Sequence, residues 1–313
     1  MEVLRRKMTD VYHTFSGRID DDKIFPIPGL IETVAEEDGI STALTGYIPQ
    51  GLCRAGDYLL ITAYDVSKQH NSVIYAVDTA DNRLVSTLTM PNRYHAGGIA
   101  FDGENIWMTG DTSDNYSGDP FVQYMTYNTF LEHASVPVSS VDETELSEHI
   151  YIQNKPSFLD YDEGILWVGT YAGAKDTSDG YANGYKIIGE PGAPRLNTMM
   201  YSIITGIDSS SQGMDIDEGY LYVSSSYNGH VKSVKSSFVT KYSLSGAGIY
   251  PFNYDVRGSE ISRVEVPKMN EEILVEDSEV RINFESGADY WRFCVIRTDR
   301  VLPVSKSLWR NPL

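Results

Sequence analysis

The chain has 313 residues and a mass of 35.0 kDa, which is enough for one large domain or two small ones. It carries 25 Lys and Arg against 44 Asp and Glu, a formal net charge of −19, so nucleic acid and anionic membrane surfaces are disfavoured as partners. No run of about 18 apolar residues is present, and two cysteines are too few for a disulfide scaffold. We expect a folded acidic chain without a membrane span.

The N-terminal segment is basic at Arg5, Arg6 and Lys7 but is not followed by an apolar stretch, so it is not a signal peptide. The 22 tyrosines and 26 glycines are typical of secreted β-proteins. We therefore expect an exported or cell-surface protein whose leader is absent from this sequence. The alternative is a cytoplasmic protein, if the chain is complete.

Short β-rich runs separated by Gly, Asp, Asn and Pro fill the chain after residue 15, with little helical periodicity. Five segments share an apolar strand, a tight turn and a second strand centred on a large apolar residue. The central residues are Leu60, Trp107, Trp167, Tyr222 and Ile282. Further strand-like runs follow each hairpin, which predicts an all-β, five-bladed β-propeller of four-stranded antiparallel blades. The predicted domain covers residues 41–313, with a C-terminal tail from about 301, and residues 1–40 flank it.

The last repeat lacks an outer strand, whereas the segment from Ser41 to Ile48 is a strand without a blade. An open ring would leave a reactive sheet edge. We therefore predict that this N-terminal segment pairs with the run from Phe293 to Asp299 and completes the last blade. The alternative is a six-bladed ring, with an extra blade built from residues 16–48 and the tail.

The hairpin GGIAFDGENIWMTGD, which begins at Gly97, is the clearest copy of the repeat. It resembles the strand–turn–strand signature of the β-propeller superfamily that contains the NHL-repeat, streptogramin-lyase-like and YVTN propellers. The resemblance implies the architecture and no set of catalytic residues, because one fold carries many functions. The chain departs from those families in having five repeats and a longer spacing between them.

A binding site is expected at the mouth of the central channel, where two loops of each blade converge. The residues predicted to bind a ligand there are Gln50, Tyr64, His95, Asp111, Lys155, Tyr171, Gln212, Tyr227 and Glu272. The candidates for catalysis are His95, Asp65, Asp111, Glu272 and Glu285. The alternative is that the side chains at the mouth only tie the blades together.

Individual residues allow narrower predictions. The near-neutral pKa of a histidine suits acid–base chemistry, so His95 and Asp111 are a candidate pair, although a surface-loop role explains His95 more simply. Asp160 and Asp215 lie inside innermost strands, where a buried carboxylate must be paired, so we expect them to clamp neighbouring blades. Trp107, Trp167 and Tyr222 are expected to pack between blades. Cys53 and Cys294 are expected to be separate, reduced thiols.

Two Asp-rich loops, residues 111–119 and 176–184, resemble each other closely. Carboxylate clusters suit Ca²⁺, and the ligands would be Asp111, Asp114, Asp119, Asp176 and Asp179. The spacing does not match an EF-hand loop, and hairpin turns need the same residue types. We therefore predict no metal and no cofactor, with Ca²⁺ as the weaker alternative.

The sequence has no nucleophile elbow, no zinc motif and no phosphate-binding loop. We predict a non-catalytic recognition propeller that binds a small polar ligand, a glycan or a protein at the channel mouth. The alternative is a carboxylate-dependent hydrolase or lyase acting on a carbohydrate or another polar substrate.

Overall fold

The structure, a computed structural model, describes residues 18–19, 23–113, 118–173, 179–190, 193–197, 199, 201–226, 236–245, 253–291 and 297–310. Five small, mainly antiparallel sheets ring a common axis, so the predicted five-bladed propeller is confirmed and the six-bladed alternative is wrong. Each blade begins with its innermost strand and proceeds outward, as the hairpin repeats predicted.

Strands β1 to β12 form the N-terminal part of the ring. Three short strands come first: β1 (Phe25–Pro26), β2 (Thr33–Glu37) and β3 (Ile40–Leu44). Blade 1 follows, with β4 (Tyr47–Ala55), β5 (Tyr58–Asp65), β6 (Val73–Asp78) and β7 (Arg83–Thr89). Blade 2 contains β8 (Ile99–Phe101), β9 (Asn105–Asp111), β10 (Pro120–Thr126) and β12 (Ile150–Tyr151). Helix α1 (Tyr127–Ala134), strand β11 (Val138–Ser140) and a 3-10 turn (Glu143–Glu145) separate β10 from β12, and β11 extends blade 1 by pairing parallel to β7.

Strands β13 to β25 form the remaining blades. Blade 3 contains β13 (Phe158–Asp162), β14 (Ile165–Thr170), β15 (Gly180–Glu190) and β17 (Ser202–Ile207), and β16 (Ala193–Leu196) pairs with the end of β15. Blade 4 contains β18 (Ser211–Asp217), β19 (Tyr220–Ser225), β20 (Ser237–Ser243) and β22 (Glu260–Val266), whereas β21 (Asn253–Asp255) pairs parallel to β17. Blade 5 contains β23 (Asn270–Val275), β24 (Glu279–Phe284), β25 (Arg300–Ser305) and β1. Two 3-10 turns, Asp289–Trp291 and Lys306–Trp309, flank β25.

Helix α1 differs from the expectation of little helix after residue 15. The side chain of Thr126 caps it by accepting a hydrogen bond from the Thr129 N–H at 3.1 Å. Phe130 and Ala134 are buried in the same apolar cluster as residues of blades 1 and 2. Eight residues make only about two turns, so tertiary packing rather than a periodic pattern stabilises this helix.

The ring is closed by an N-terminal strand that completes the last blade, as predicted. Strand β1 pairs antiparallel with β25, placing Phe25 opposite Val301 and Pro26 opposite Arg300. Phe25 is 2% exposed, so this two-residue strand contributes an apolar anchor as well as hydrogen bonds.

The segments proposed for that closure are wrong. Residues 41–44 belong to β3, which pairs with β2 in a separate hairpin, and Tyr47 begins the innermost strand of blade 1. The third strand of blade 5 is β25, so the residues expected to form a tail lie inside the blade. Because β1 has only two residues, it shows no apolar alternation by which it could be recognised in the sequence.

Large side chains from the second strands fill the space between neighbouring blades. Trp107 and Tyr222 are fully buried, and Trp167 is 2% exposed. Trp107 shares an apolar cluster with Leu159 and Tyr185 of blade 3. The predicted packing role of these three aromatic residues is therefore confirmed.

Buried carboxylates join blade 3 to blade 4 and blade 4 to blade 5. Asp160 Oδ2 accepts a hydrogen bond from the Ile216 N–H at 2.9 Å, and Asp215 Oδ2 accepts one from the Val275 N–H at 2.8 Å. Each carboxylate therefore satisfies a backbone donor on the next innermost strand, and their predicted clamping role is confirmed.

Two glycines let innermost strands approach each other closely. A Cβ atom on Gly98 would lie 2.4 Å from the Leu159 nitrogen of blade 3. A Cβ atom on Gly213 would lie 2.6 Å from the Cα atom of Glu272 in blade 5. Both distances are far shorter than van der Waals contact, so only glycine fits at these points without backbone movement.

Candidate functional site at the channel mouth

Irregular pairing re-aims side chains at the start of three innermost strands. The register of β4 with β5 shifts between Pro49 and Leu52, that of β18 with β19 between Ser211 and Gly213, and that of β23 with β24 between Asn270 and Ile273. The residues inside these shifts include Gln50, Gln212 and Glu271. Since a bulge turns a side chain out of the regular alternation, these polar groups reach the mouth rather than a blade interface.

Gln50, His95 and Tyr64 form one side of the mouth. The Nε2 atom of His95 lies 2.6 Å from Oε1 of Gln50, and its ring stacks on Tyr64 with 4.2 Å between the ring centroids. Burial, followed by the charges of Lys68 and Lys155, lowers the pKa of His95 to about 3. His95 is therefore neutral at physiological pH.

Glu271 and Glu285 form the other side, and their carboxyl groups share a hydrogen bond. Burial raises the pKa of Glu285 to about 7 and, together with the charge of Glu285, holds the pKa of Glu271 well above its usual range. Gln212 donates to Glu271 Oε1 at 3.3 Å. Two desolvated carboxyl groups in contact cannot both ionise cheaply, so they hold a proton between them near neutral pH.

Aromatic groups complete the surroundings of this pair. Burial raises the pKa of Tyr64, and the charges of Glu285 and Glu271 raise it further. The Trp291 side chain hydrogen-bonds to Glu285 and lies edge-to-face with Tyr290, 4.9 Å between centroids. Arg297 holds this loop by donating to the carbonyl oxygens of Ser286 and Ala288. Carboxyl groups and aromatic rings thus meet at one place.

Asp65 and Asp111, both predicted as catalytic candidates, are hydrogen-bonded to their own loops. The Asp65 carboxylate accepts from the Ser67 hydroxyl and from the backbone N–H groups of Ser67, Gln69 and His70. These hydrogen bonds more than offset its burial and lower its pKa. Oδ1 of Asp111 accepts from the Ser113 N–H at 2.8 Å and from the Gly118 N–H at 3.0 Å. Both carboxylates therefore stabilise turns.

Glu272 points away from the mouth. Its Oε1 atom accepts from the Met214 N–H of blade 4 at 2.8 Å, and the side chain is 1% exposed. Its neighbour Glu271 occupies the mouth instead, and sequence reasoning missed it. The adjacent pair Glu271–Glu272 carried a signal, because consecutive residues of a strand face opposite ways and only one of the two glutamates points to the mouth.

His95, Asp111 and Lys155 come together at a small crevice of about 10 Å³ between blades 2 and 3. Tyr171, 38% exposed, begins the loop after β14. Tyr227, also predicted to bind a ligand, lies outside the described residues. The predicted mouth residues therefore divide between this crevice, the carboxyl pair and turn-forming positions.

The candidate calcium ligands are only partly described. Asp114 and Asp176 lie outside the described residues. Asp119 donates its N–H to Thr112 Oγ1, and Asp179 lies 3.6 Å from the guanidinium of Arg257. Within the described ranges, no three His, Cys, Asp or Glu side chains are grouped to hold a metal ion. The same part of the chain contains no helix long and apolar enough to cross a bilayer.

Comparison with known proteins shows no family for this chain. No protein-family model and no curated protein sequence matches the chain. Among solved structures, it is similar to glutaminyl cyclase from Myxococcus xanthus, with 13% identity, a TM-score of 0.46, and coverage of 90% of this chain and 95% of that one. It is also similar to the Bacteroides ovatus Xyloglucan PUL GH43B, with 11% identity, a TM-score of 0.43, and coverage of 83% and 49% respectively.

Proposed function

We propose that this protein is a recognition propeller whose channel mouth binds a small polar ligand carrying an ammonium group. The observation that carries the proposal is the hydrogen-bonded carboxyl pair Glu271–Glu285, buried beside Tyr64. An ammonium group would take the place of the shared proton and donate to both carboxylates in charge-assisted hydrogen bonds.

The electrostatics of the surroundings support a cationic ligand. The net charge of −19 attracts cations over the whole surface, and neutral His95 adds no positive charge. Lys68 and Lys155 act on the His95 side of the mouth, and neither is among the charges that shift the pKa values of Glu271 and Glu285. Gln50 and Gln212 provide amide groups that would orient the polar remainder of the ligand. This combination selects for positive charge first and for hydrogen-bonding pattern second.

The test is a thermal-shift titration at pH 8 with pairs of matched probes, butylamine against butanol and benzylamine against benzyl alcohol. We expect the amines to raise the melting temperature with increasing concentration, because ligand binding stabilises the native state, and the alcohols to have no comparable effect. Glu271→Gln and Glu285→Gln should each remove the response. Glu104→Gln, in the exposed turn between β8 and β9, is the control with the same charge change and should retain it. Equal responses to amine and alcohol would refute the proposal.

The second candidate function is a carboxylate-dependent hydrolase or lyase, and one observation favours it. A pKa of about 7 places Glu285 near the optimum for general acid–base catalysis, and Glu271 can supply or accept the proton. Incubation with cleavable compounds, methyl glycosides and amino-acid amides, followed by mass spectrometry separates the two functions. An unchanged ligand supports recognition, whereas a product that Glu285→Gln no longer forms supports catalysis.

A further inference from the structure

The hairpin of β2 and β3 leaves one sheet edge unpaired within the described part of the chain. Strand β2 pairs with β3 and contacts β7 and β11 of blade 1, whereas no described residue other than those of β2 pairs with β3. Residues 40–43 of β3 are exposed. The strand, ISTAL, contains neither the charged residues nor the proline that usually protect such an edge from other strands. A further strand can therefore add to the hairpin.

The turn of this hairpin determines which backbone groups lie on the open edge. Its two residues, Asp38 and Gly39, have positive φ values of 52° and 73°, as a two-residue type I′ turn requires. In such a hairpin the pair of residues that flanks the turn exchanges hydrogen bonds, and every second pair after it does the same. The intervening residues of β3, Ser41 and Ala43, therefore direct their N–H and C=O groups away from β2. No backbone group of the described residues hydrogen-bonds to them on that side.

A second copy of β3 matches these outward groups. When two β3 strands lie antiparallel with Ser41 of each copy opposite Ala43 of the other, the outward N–H and C=O groups of both strands are all hydrogen-bonded. This register places Thr42 opposite itself on a two-fold axis. It also places Ile40, which is 66% exposed, opposite Leu44 on one face of the sheet, so each copy gains an apolar cross-strand pair.

We propose that two copies of this protein form a symmetric dimer by pairing their β3 strands, which gives one continuous sheet in the order β2–β3–β3–β2. A single register satisfies both the backbone groups and the apolar side chains, which is the self-complementarity that a two-fold interface requires. The strand carries no charge, so two chains of net charge −19 meet there without opposing carboxylates. The paired segments are short, so we expect a weak, reversible dimer. It does not depend on the ligand proposed for the channel mouth.

Analytical ultracentrifugation of the full chain measures this association. We expect the average mass to rise from that of a monomer toward that of a dimer as the concentration increases, with a dissociation constant on the order of 100 µM. Added salt should strengthen the dimer, because it screens the repulsion between two acidic chains.

Two variants test whether the β3 edge is the contact. Ala43→Pro removes an outward N–H group and leaves the hydrogen bonds with β2 in place, so dimerisation should weaken about tenfold or more while the melting temperature shows that the fold is retained. Met199→Ser removes a side chain that is 75% exposed from the segment between β16 and β17. It is the control for non-specific apolar association and should dimerise as wild type does.

Thr42→Cys and Ser41→Cys form a matched pair that tests the register by oxidative cross-linking. In the proposed dimer the two copies of residue 42 face each other with Cα atoms about 4.5 Å apart, within reach of a disulfide. The two copies of residue 41 are offset along the strands, and their Cα atoms lie more than about 7 Å apart, beyond that reach. Mild oxidation should therefore link Thr42→Cys into a covalent dimer far more completely than Ser41→Cys, with wild type, whose Cys53 is buried, as the background.

Three results would each overturn the proposal. The first is a chain that stays monomeric up to about 1 mM, even if it binds an unrelated extended peptide at β3. The second is an Ala43→Pro variant that dimerises as tightly as wild type. The third is equal cross-linking of Thr42→Cys and Ser41→Cys.

Discussion

Buried carboxylates accept hydrogen bonds between blades 3, 4 and 5, whereas neutral groups make the buried hydrogen bonds between blades 5, 1 and 2, where the partly exposed ion pair Arg54–Glu276 lies beside them at 3.0 Å. Asp160 and Asp215 accept backbone hydrogen bonds from the next blade on one side of the ring. On the other side, Thr62 Oγ1 donates to the Ala96 carbonyl at 2.6 Å and Asn283 Nδ2 donates to the Gln50 carbonyl at 2.8 Å. The buried hydrogen bonds between neighbouring blades are therefore made by ionisable carboxyl groups on one side of the ring and by non-ionisable groups on the other. Only the first kind depends on pH.

The pKa values of Asp160 and Asp215 determine whether their contribution to stability rises or falls with pH. Burial raises the pKa of Asp160 to about 7 and that of Asp215 well above its ordinary range. A carboxyl group with a raised pKa in the folded state binds more protons than in the unfolded chain. Its contribution to stability is therefore present at low pH and lost as pH rises through the folded-state pKa. Thr62 and Asn283 carry no such dependence.

The largest expected effect concerns the junction of blade 5 with β1. Deleting residues 1–30 removes Phe25, Ile27 and Leu30, which are 2%, 3% and 7% exposed. Burial of three such side chains is worth roughly 5 kcal/mol or more, so the free energy of unfolding should fall by that amount. Urea denaturation measures it. Deleting only residues 1–17 is the control and should leave most of the stability intact, and an equal loss in both deletions would refute the closure.

The second-largest expected effect comes from removing one carboxylate, Asp160, and one neutral group, Thr62, that join neighbouring blades. Asp160→Ala leaves the N–H groups of Ile216 and Tyr161 without their acceptor, and Thr62→Val leaves the Gly51 N–H without its own. At pH 5 we expect losses of about 1–3 kcal/mol for each. At pH 8 the cost of Asp160→Ala should be smaller, because wild type then carries an ionised buried carboxylate, and the cost of Thr62→Val should not change. Urea denaturation of both variants at the two pH values is the measurement, and identical pH responses would contradict the comparison.

A third prediction concerns how the free energy of unfolding of the wild-type protein changes with pH. The free energy of unfolding should fall between about pH 4 and pH 7, because burial raises the pKa values of Asp160 and Glu285 to about 7 and those of Asp215, Glu271 and Glu272 well above their ordinary range. These five carboxyl groups outweigh His95, whose lowered pKa of about 3 acts in the opposite direction. Asp160→Asn retains an acceptor and should flatten the slope, by an amount on the order of 2 kcal/mol across the window. Glu285→Gln should flatten it as well, since the pKa of Glu285 is also about 7. A wild-type stability that rises with pH over this range would show the sign to be wrong.

The smallest effect involves Cys53, which occupies in β4 the position that Asp160 and Asp215 occupy in their strands. Burial, followed by the charges of Glu272 and Asp160, raises the pKa of its thiol. The thiolate is the reactive form, so native Cys53 should be alkylated by iodoacetamide at pH 8 far more slowly than in the urea-unfolded chain. Mass spectrometry of the labelled peptide distinguishes Cys53 from Cys294, which lies outside the described residues. Equal rates in the native and unfolded chains would contradict the burial of the thiol.

The ring was predictable from the sequence because each hairpin repeats the same strand, turn and central residue, and the clamping roles of Asp160 and Asp215 followed from a carboxylate inside a buried strand. The closing strand was not predictable, because two residues give no periodicity and the partner, Val301, is remote in sequence. The site was predictable only as a location. Glu271 and Glu272 lie inside a register irregularity, so the strand pattern alone did not indicate which of the two faces the mouth.

Because Phe25 pairs with Val301, strand β1 can join blade 5 only after β25 has been synthesised. Phe25 leaves the ribosome well before its partner strand β25 is synthesised. At the usual rate of about 5–20 residues per second, the roughly 275 intervening residues take about 14–55 s. During that interval Phe25 and Ile27 have no sheet to join, and blade 1 lacks the Asn283 side chain that later donates to Gln50. During synthesis, the apolar segment that contains Phe25 and Ile27 therefore stays without its partner strand until β25 has been made.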